Sequence, residues 1–559
     1  MAEQVGKEAS AHSKEFAKGA LWSFVAQAGI RLVGFFYLVA LARMASQDDV
    51  GTFYLALSIF GVLSVFSDAG FSSSFTRYVP YLTGRGEAAK LRALLKVCYA
   101  VVTVLCILMG IAIFLSADIM AGYFHNPKLA IVLRLLSPYL LLNSLFSLDL
   151  GFINGRKMMK EYSVLMNAQT LAKFILTILL FFVIGATLFS IAAGFVLSFL
   201  FVLLLSFLYM RKPLAELGEA GVGVDIAGLM REVVPFGLTI SLISSLWLVI
   251  NYTDRILIGY MMDPSIAAQM VAVYSMATSL SMLVLIFPSA ISLIFFPMIS
   301  ELIGQGKKED LVELCETSIR WIIFTTFPIT LVMLAFPDNL LRMFYGDAYA
   351  AGGFAMAVFA LGLFIRSLST VESLVLGGMR LIGLELRVAL VSAIVNIFLN
   401  WILIPRFGIG GASIASAVAF LIATILFIYY ARKHAGFRFP PEAIKAIVAG
   451  IIALGLILLI KPYLTGEMAG LPVFGSGDAA ALMAKVLRLA VFGVLFAISA
   501  AVYAALLFAL KSFSHEDVGI LSATLKRMRV PEGLSEKIIA IVRGGVHSGG
   551  AGAAREKAG

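Results

Sequence analysis

The sequence predicts an all-α polytopic membrane protein with about fourteen transmembrane helices, arranged as two parallel six-helix repeats and two C-terminal helices. Three observations predict this class: the composition, the length of the apolar runs, and a motif that recurs in the second half. Of the 559 residues, 61% are hydrophobic and 14% are charged. Soluble domains have about 45–50% apolar and about 25% charged residues. The composition therefore excludes a soluble globular protein.

Apolar runs of about 20 residues define the predicted spans. In the first half they lie at 19–42, 50–78, 93–116, 129–153, 162–184 and 187–210. In the second half they lie at 233–260, 266–299, 317–336, 352–377, 386–404 and 408–431, with a last pair at 443–461 and 485–510. The first run is too long for the core of a signal peptide and is predicted to be a retained helix.

These spans predict six regions of the chain. They are a cytoplasmic N-terminus (1–17), an N-lobe of six spans (18–211), a cytoplasmic linker (212–232), a C-lobe of six spans (233–431), a final helix pair (443–511) and a cytoplasmic tail (512–559). The Gly- and Ser-containing stretch 462–484 is predicted to be an outer loop.

Lysine and arginine are concentrated in alternate loops, for example Arg85–Arg92, Arg156–Lys160 and Arg432–Arg438. The positive-inside rule assigns these loops to the cytoplasm, so both termini are predicted to be cytoplasmic in a multi-pass protein of the inner cell membrane. The net charge of +10 is then explained by contacts with anionic headgroups, and no nucleic-acid partner is expected.

A short motif closes the second and the eighth predicted spans. Gly84-Arg-Gly86 follows the second span and Gly304-Gln-Gly306 follows the eighth. Each half crosses the membrane an even number of times, so the two halves have the same orientation. Parallel repeats of this kind place a substrate site between them.

Basic residues interrupt several spans. Arg31, Lys173 and Arg366 lie near mid-span, and Arg134 lies in the outer part of the fourth span. An arginine at the bilayer centre costs about 2.5–3.5 kcal/mol or more, so these side chains need a polar cavity or a partner. On one continuous helix, Arg366 would share a face with three small or polar residues, Thr370, Ser373 and Gly377.

This surplus of cations predicts a cavity that binds an anion, such as the phosphate or pyrophosphate of an amphipathic substrate. Pairing with nearby acids is the competing explanation. Gln27, Asn143 and Asn251 are candidates to contact sugars. Four acids inside or near spans are candidates to couple transport to a proton or sodium ion, in the order Glu372, Asp149, Asp254 and Asp68.

No cofactor, disulfide or metal is expected, because the three cysteines and five histidines show no paired or ligand-like spacing. The sequence also lacks a phosphate-binding Gly-x-x-x-x-Gly-Lys-Ser/Thr loop and any catalytic set of side chains. The chain is therefore predicted to be a transporter and not an enzyme.

Several stretches resemble a known family. They are Asn396…Asn400-Trp-Ile-Leu-Ile-Pro405-Arg-Phe-Gly408-Ile-Gly-Gly-Ala412, Asp254-Arg-Ile-Leu-Ile-Gly259 and Lys18-Gly-Ala-Leu-Trp22. Over about residues 15–510 the chain is similar to the polysaccharide-transporter (Wzx-like flippase) branch of the multidrug/oligosaccharidyl-lipid/polysaccharide exporter superfamily. The resemblance implies two lobes around a central cavity that is lined by basic residues, here assigned to Arg31, Arg134, Lys173 and Arg366.

The resemblance also implies a function. Members move a polyprenyl-linked glycan, such as an O-antigen or other polysaccharide repeat unit, from the inner to the outer leaflet by alternating access. The expected partners are this glycan lipid, the bilayer and polysaccharide assembly enzymes, and the chain is expected to be a monomer. Alternatives are a peptidoglycan-precursor flippase, a multidrug antiporter of the same fold, or a membrane-embedded polymerase or glycosyltransferase. The basic surplus disfavours a cation antiporter, and a polymerase would need a large outer loop.

Overall fold

The computed structural model describes residues 29–68, 70–217, 225–469 and 478–514, together with isolated residues of the tail. Gln27, most of the predicted N-terminus, part of the linker and most of the predicted tail lie outside the described residues. The described chain is almost entirely helical.

Eighteen helices are described in chain order, and α1 occupies residues 29–44. The others are α2 Gln47–Ser67, α3 Phe71–Gly84, α4 Ala88–Tyr123, α5 Pro127–Leu136, α6 Tyr139–Gly155, α7 Met159–Ile184, α8 Leu188–Ala215, α9 Ile226–Met261, α10 Ala267–Ser281, α11 Ile286–Gln305, α12 Lys308–Ala335, α13 Pro337–Tyr345, α14 Gly353–Ser367, α15 Thr370–Gly378, α16 Ile382–Ala435, α17 Pro441–Ala469 and α18 Asp478–Ala509.

Ten helical runs among the described residues are long and apolar enough to cross a membrane. Large apolar side chains on them point away from the protein, such as Leu115, Phe182 and Leu459, which are 72%, 78% and 73% exposed. Helices form hydrogen bonds between their own backbone polar groups, whereas hydrocarbon offers these groups no hydrogen-bond partner. The predicted fold class, an all-α polytopic membrane protein, is confirmed.

The long run α16 contains two antiparallel arms. Gly408 has φ 56° and ψ −135°, a non-helical conformation that glycine adopts readily. The amide of Asn396 donates to Ser416 Oγ at 3.1 Å, whereas a straight helix would separate these residues by about 30 Å. The eleventh and twelfth predicted spans, 386–404 and 408–431, are therefore separate crossings joined by a tight reversal.

Four predicted spans contain a break between helical segments. The second (50–78) is interrupted between α2 and α3, where Gly70 has φ 78°. The fourth (129–153) is interrupted at Ser137–Pro138, since proline removes a helical hydrogen bond. The eighth (266–299) passes through a 3₁₀ turn at Met282–Leu285. The tenth is considered next.

The tenth predicted span (352–377) ends one helix and begins another at Leu368–Ser369. Arg366 lies in the last turn of α14, whereas Thr370 begins α15. The predicted common face of Arg366, Thr370, Ser373 and Gly377 is thus divided between two helices. The predicted outer loop 462–484 is also wrong at both ends, because α17 continues to Ala469 and α18 begins at Asp478.

The duplication is visible in the backbone. Gly86 and Gly306, which end the two copies of the glycine motif, both have φ 71°. Lys157 and Arg380, which follow α6 and α15, both have φ 60°. Non-glycine residues with positive φ are uncommon, so their recurrence at matching places supports two related halves.

The described contacts divide the chain into two compact units. Unit 1 comprises Met1–Ala277, Phe344–Tyr349 and Ala389–Ser416. Unit 2 comprises Thr278–Met343, Ala350–Val388 and Ala417–Gly559. The predicted N-lobe (18–211) and C-lobe (233–431) were defined by the order of the spans along the chain. These limits remain a prediction.

Candidate functional site

Asp254, on α9 of unit 1, is the centre of a buried polar cluster. Its carboxylate is 1% exposed. It accepts hydrogen bonds from Ser416 Oγ at 2.6 Å, from the amide of Asn400 at 2.6 Å and from the amide of Asn396 at 3.3 Å. The hydroxyl of Tyr274, on α10, donates to Oδ2, the oxygen that also accepts from Ser416. Four donors from α10 and the two arms of α16 therefore surround one carboxylate, which we call the Asp254 cluster.

Local sequence explains how the cluster assembles. Asn396 and Asn400 are four residues apart, so they lie on one face of the first arm of α16. The reversal at Gly408 returns the chain and brings Ser416 beside them. The motif that carries the family resemblance thus supplies two of the four donors to the carboxylate, and Ser416 lies four residues after its end.

The Asp254 cluster also presents oxygen atoms. Asn400 Oδ1 is buried and has no hydrogen-bond partner among the described residues. Carboxylate, amide and hydroxyl oxygens are the ligands that hard cations prefer. Among the described residues, no group of three or more His, Cys, Asp or Glu side chains could hold a metal ion.

Asp149 lies in a smaller buried cluster of unit 1. Its side chain, on α6, is 6% exposed. The hydroxyls of Tyr99 on α4 and Ser206 on α8 each donate to one of its oxygens. This carboxylate joins three helices through neutral hydroxyl groups, an arrangement that suits a structural role.

Glu372, on α15 of unit 2, has very different surroundings. It is 1% exposed, and neither carboxylate oxygen has a hydrogen-bond partner among the described residues. A small cavity beside it is lined mainly by apolar groups, including Cys315, Val375 and Ala431. Burial of a polar group without a hydrogen bond is costly, so this residue needs a functional or a conformational explanation.

Asp68 caps a helix. Its carboxylate accepts a hydrogen bond from the Gly70 amide at 2.6 Å and another from the hydroxyl of Ser72. Gly70 lies in the break between α2 and α3, and Ser72 lies in the first turn of α3. The contacts of Asp68 are those of a residue that stabilises a helix start.

Two of the predicted basic residues lie against aromatic rings. Lys173 Nζ, on α7, is 4.7 Å from the ring centre of the buried Tyr37 on α1. The Arg366 guanidinium is 5.1 Å from the ring centre of Phe427 and donates to Ser369 Oγ at 3.1 Å. Aromatic faces stabilise cations where water is scarce.

The other two basic residues differ from these. Arg134 forms an ion pair with Asp118 and is 38% exposed, so local pairing explains its position. Arg31 is half-buried on α1. The α1 helix packs against α7 on either side of it, through Gly29 against Asn167 and Tyr37 against Lys173. Convergence of all four cations on one cavity remains a prediction.

The predicted sugar contacts have ordinary surroundings. Asn143 is half-buried on α6, and the amide of Asn251 donates to the Trp247 carbonyl of its own helix at 2.8 Å. Sequence reasoning missed Tyr274, Tyr99 and Ser206, which contact the buried acids from other helices. Only the Asn396–Asn400 spacing gave a signal in the sequence.

A profile of polysaccharide biosynthesis proteins matches residues 16–303, just over half of the chain. The chain belongs to this family. The MatE profile matches residues 239–402, which include Asp254 and both asparagines of the cluster. The predicted family resemblance is confirmed.

Individual relatives agree with this assignment. An uncharacterised membrane protein of Methanocaldococcus jannaschii, MJ1068, is 21% identical over 83% of this chain and 93% of its own length. The probable low-salt glycan biosynthesis flippase Agl15 of Haloferax volcanii is 23% identical over 38% of this chain and 44% of its own length. The solved lipid II flippase MurJ, in an inward closed conformation, has a TM-score of 0.64 and 14% identity, covering 88% of this chain and 99% of that chain. This last likeness shows a shared fold.

Proposed function

We propose that this protein is a flippase that moves a polyprenyl-(pyro)phosphate-linked oligosaccharide from the inner to the outer leaflet of the cell membrane. The observation that carries the proposal is the presence of Lys173 and Arg366 within apolar helices of a polysaccharide-biosynthesis family member. The similarity to Agl15, a probable glycan biosynthesis flippase, and to the lipid II flippase MurJ supports the same class of transport.

The chemistry of the substrate explains why basic residues are needed. A phosphate cannot cross hydrocarbon alone, because transfer of a charged group out of water costs many kcal/mol. Lysine and arginine can replace the water around it, and arginine can bind it through two parallel hydrogen bonds. The lipid tail would stay in the bilayer while the phosphate and the sugars move past these side chains.

We further propose that transport is coupled to a proton or sodium ion at the Asp254 cluster. The sequence ranked Glu372 first, but the contacts favour Asp254. It has four polar neighbours, and Asn400 Oδ1 beside it has no hydrogen-bond partner among the described residues. Glu372 has no comparable set of oxygen ligands among the described residues. The amides and hydroxyls would orient the carboxylate and share the bound cation.

A multidrug antiporter is the second candidate, because the MatE profile matches residues 239–402. A transported organic cation would be repelled by Lys173 and Arg366, whereas an anionic lipid would be attracted. A peptidoglycan-precursor flippase is closer in chemistry, since its substrate also combines a lipid, a phosphate group and sugars. Direct transport measurements separate the three.

The test uses purified protein in vesicles that contain fluorescent polyprenyl-pyrophosphate oligosaccharide. We expect flipping by the wild type, and a reduction of about tenfold in Lys173→Ala and in Arg366→Ala through loss of a charged contact to phosphate. Arg31→Ala should act in the same direction. Arg134→Ala should have a smaller effect, because Asp118 already pairs with it.

Lys128→Ala is the matched control. This lysine pairs with Asp48 and Asp49 outside the predicted spans, so its loss should leave flipping unchanged. Unchanged flipping in Lys173→Ala, Arg366→Ala and Arg31→Ala together would contradict the cationic path. Transport of a lipophilic cation in place of the glycan lipid would favour the antiporter.

A further inference from the structure

A short segment that includes the last two residues of α13 and the start of the connection to α14 packs against α1 and α2. It comprises Phe344–Tyr349 and is grouped with unit 1, although the helices on both sides of it belong to unit 2. We call it the 344–349 clasp. Its ends continue directly into those helices, so the clasp is a point where the chain of unit 2 enters unit 1.

Three contacts hold the clasp to the end of α1 and the start of α2. Gln47 Nε2 donates to the Ala348 carbonyl at 2.6 Å, and Arg43 Nε donates to the Phe344 carbonyl at 3.1 Å. The ring of Phe344 meets Phe35 edge-on, with 5.0 Å between ring centres. Both of these hydrogen bonds go to main-chain oxygens, so they depend on the path of the clasp backbone.

That path needs a glycine. Gly346 has φ 108°, and a Cβ added there would lie 3.4 Å from the Arg43 guanidinium. L residues rarely adopt this conformation. The turn at Gly346 therefore allows the Phe344 and Ala348 carbonyls to be presented to the two donors on α1 and α2.

The clasp also buries polar groups at a cost. Tyr345 and Tyr349 are each 1% exposed, and both hydroxyls lack a hydrogen-bond partner among the described residues. A buried hydroxyl without a partner loses its hydrogen bond to water. Release of the clasp would return both hydroxyls to water. The free energy gained in this way would offset part of the free energy lost with the contacts. These terms favour a closure that can open.

We propose that the 344–349 clasp is a releasable closure on the predicted outer face, and that it must separate from Arg43 and Gln47 for substrate to leave. The positive-inside pattern places both the 45–49 turn and the 337–351 connection on that face. The release step rests on the proposed flippase function, whereas the opening of the clasp can be measured without any substrate.

The first experiment measures opening alone. In a variant without Cys98, Cys106 and Cys315, Tyr349→Cys places a buried thiol in the clasp. Adding Arg43→Ala and Gln47→Ala should raise the rate of labelling by a membrane-impermeant maleimide about tenfold, because two hydrogen bonds that hold the clasp are lost. An unchanged labelling rate would overturn the proposal.

The second experiment blocks opening. In the same cysteine-free background, oxidation of Gln47→Cys with Ala348→Cys links α2 to the clasp through a disulfide. Flipping should fall to background and return after reduction. The control pair, Thr52→Cys with Asn126→Cys, joins two groups that are already hydrogen-bonded at 2.9 Å within unit 1, and should flip when oxidised.

The outcomes separate the two proposals. Full flipping by the cross-linked Gln47–Ala348 pair would overturn the clasp as a gate. If neither reduced pair flips the glycan lipid while Tyr349→Cys labelling still rises, the substrate assignment fails and the clasp opening stands.

Discussion

The two halves of the molecule place a buried acid at matching positions but give it different surroundings. Asp149 and Glu372 each stand eight residues before the basic residue with positive φ, Lys157 or Arg380. Two hydroxyl groups donate to Asp149, whereas Glu372 has no hydrogen-bond partner among the described residues. In unit 1 the acid connects helices through hydrogen bonds, whereas in unit 2 the matching acid accepts none among the described residues.

The difference shows that a buried acid is not by itself evidence of ion coupling. The acid with the richest set of ligands, Asp254, has no match at these two positions and depends on the reversal of α16. The loss of stability on substitution should therefore increase with the number of hydrogen bonds that each of the three acids accepts.

The largest effect is expected at Asp254. Asp254→Ala would remove the carboxylate that accepts four buried hydrogen bonds, so the free energy of unfolding should fall by about 3–5 kcal/mol. Thermal unfolding of the detergent-solubilised protein measures this. Asp254→Asn, which keeps one acceptor oxygen, should unfold at an intermediate temperature. Equal stability of Asp254→Ala and the wild type would mean that the cluster is not formed.

A smaller effect is expected at Asp149. Asp149→Ala removes the carboxylate that accepts from the hydroxyls of Tyr99 and Ser206, at a cost of about 1–3 kcal/mol. Ser206 Oγ can still donate to the Leu203 carbonyl at 2.8 Å, so most of the cost is expected at Tyr99. The triple variant Tyr99→Phe, Ser206→Ala, Asp149→Ala removes the donors as well and should recover part of that loss. If the triple variant is less stable than Asp149→Ala alone, the hydroxyls have other roles.

Little effect on stability is expected at Glu372. Glu372→Gln keeps the shape of the side chain and removes no hydrogen bond within the described residues, so the change should be less than about 1 kcal/mol. A melting temperature lowered as much as in Asp149→Ala would show that Glu372 has a partner of similar strength. The comparison between the halves would then fail.

The smallest effect belongs to Asp263, an exposed acid just after α9. Its carboxylate accepts hydrogen bonds from the Ser265 amide at 2.9 Å and from Ser265 Oγ at 2.6 Å, which lower its pKa. A lowered carboxyl pKa contributes stability above the pKa of the unfolded chain, and this contribution is lost as the pH falls through the folded value. As the pH is lowered, the melting temperature of Asp263→Asn should therefore fall slightly less than that of the wild type.

The fold class was more predictable from the sequence than the positions of the helix breaks. The fold class followed from composition and span length. A long apolar segment in hydrocarbon must satisfy its backbone hydrogen bonds internally, and a helix does this. The breaks at Gly70 and Leu368–Ser369 could not be predicted, because each depends on local backbone angles that hydropathy does not encode. Arg366 therefore lies at a helix end and not on a continuous polar face.

The candidate site was only partly predictable. Asn396 and Asn400 stood out in the sequence, but their contact with Asp254 depends on tertiary packing. Tyr274 could not be assigned, since a tyrosine in an apolar helix is usually a packing residue. The ranking of Glu372 above Asp254 reflected depth in a span alone and carried no information about partners across helices.

Coupling at the Asp254 cluster is tested most directly by flipping of the labelled glycan lipid with and without a proton or sodium gradient. The wild type and Glu372→Gln should be stimulated by the gradient, whereas Asp254→Asn should flip at the same rate with and without it. Stimulation that survives in Asp254→Asn and disappears in Glu372→Gln would contradict the assignment of ion coupling to the Asp254 cluster.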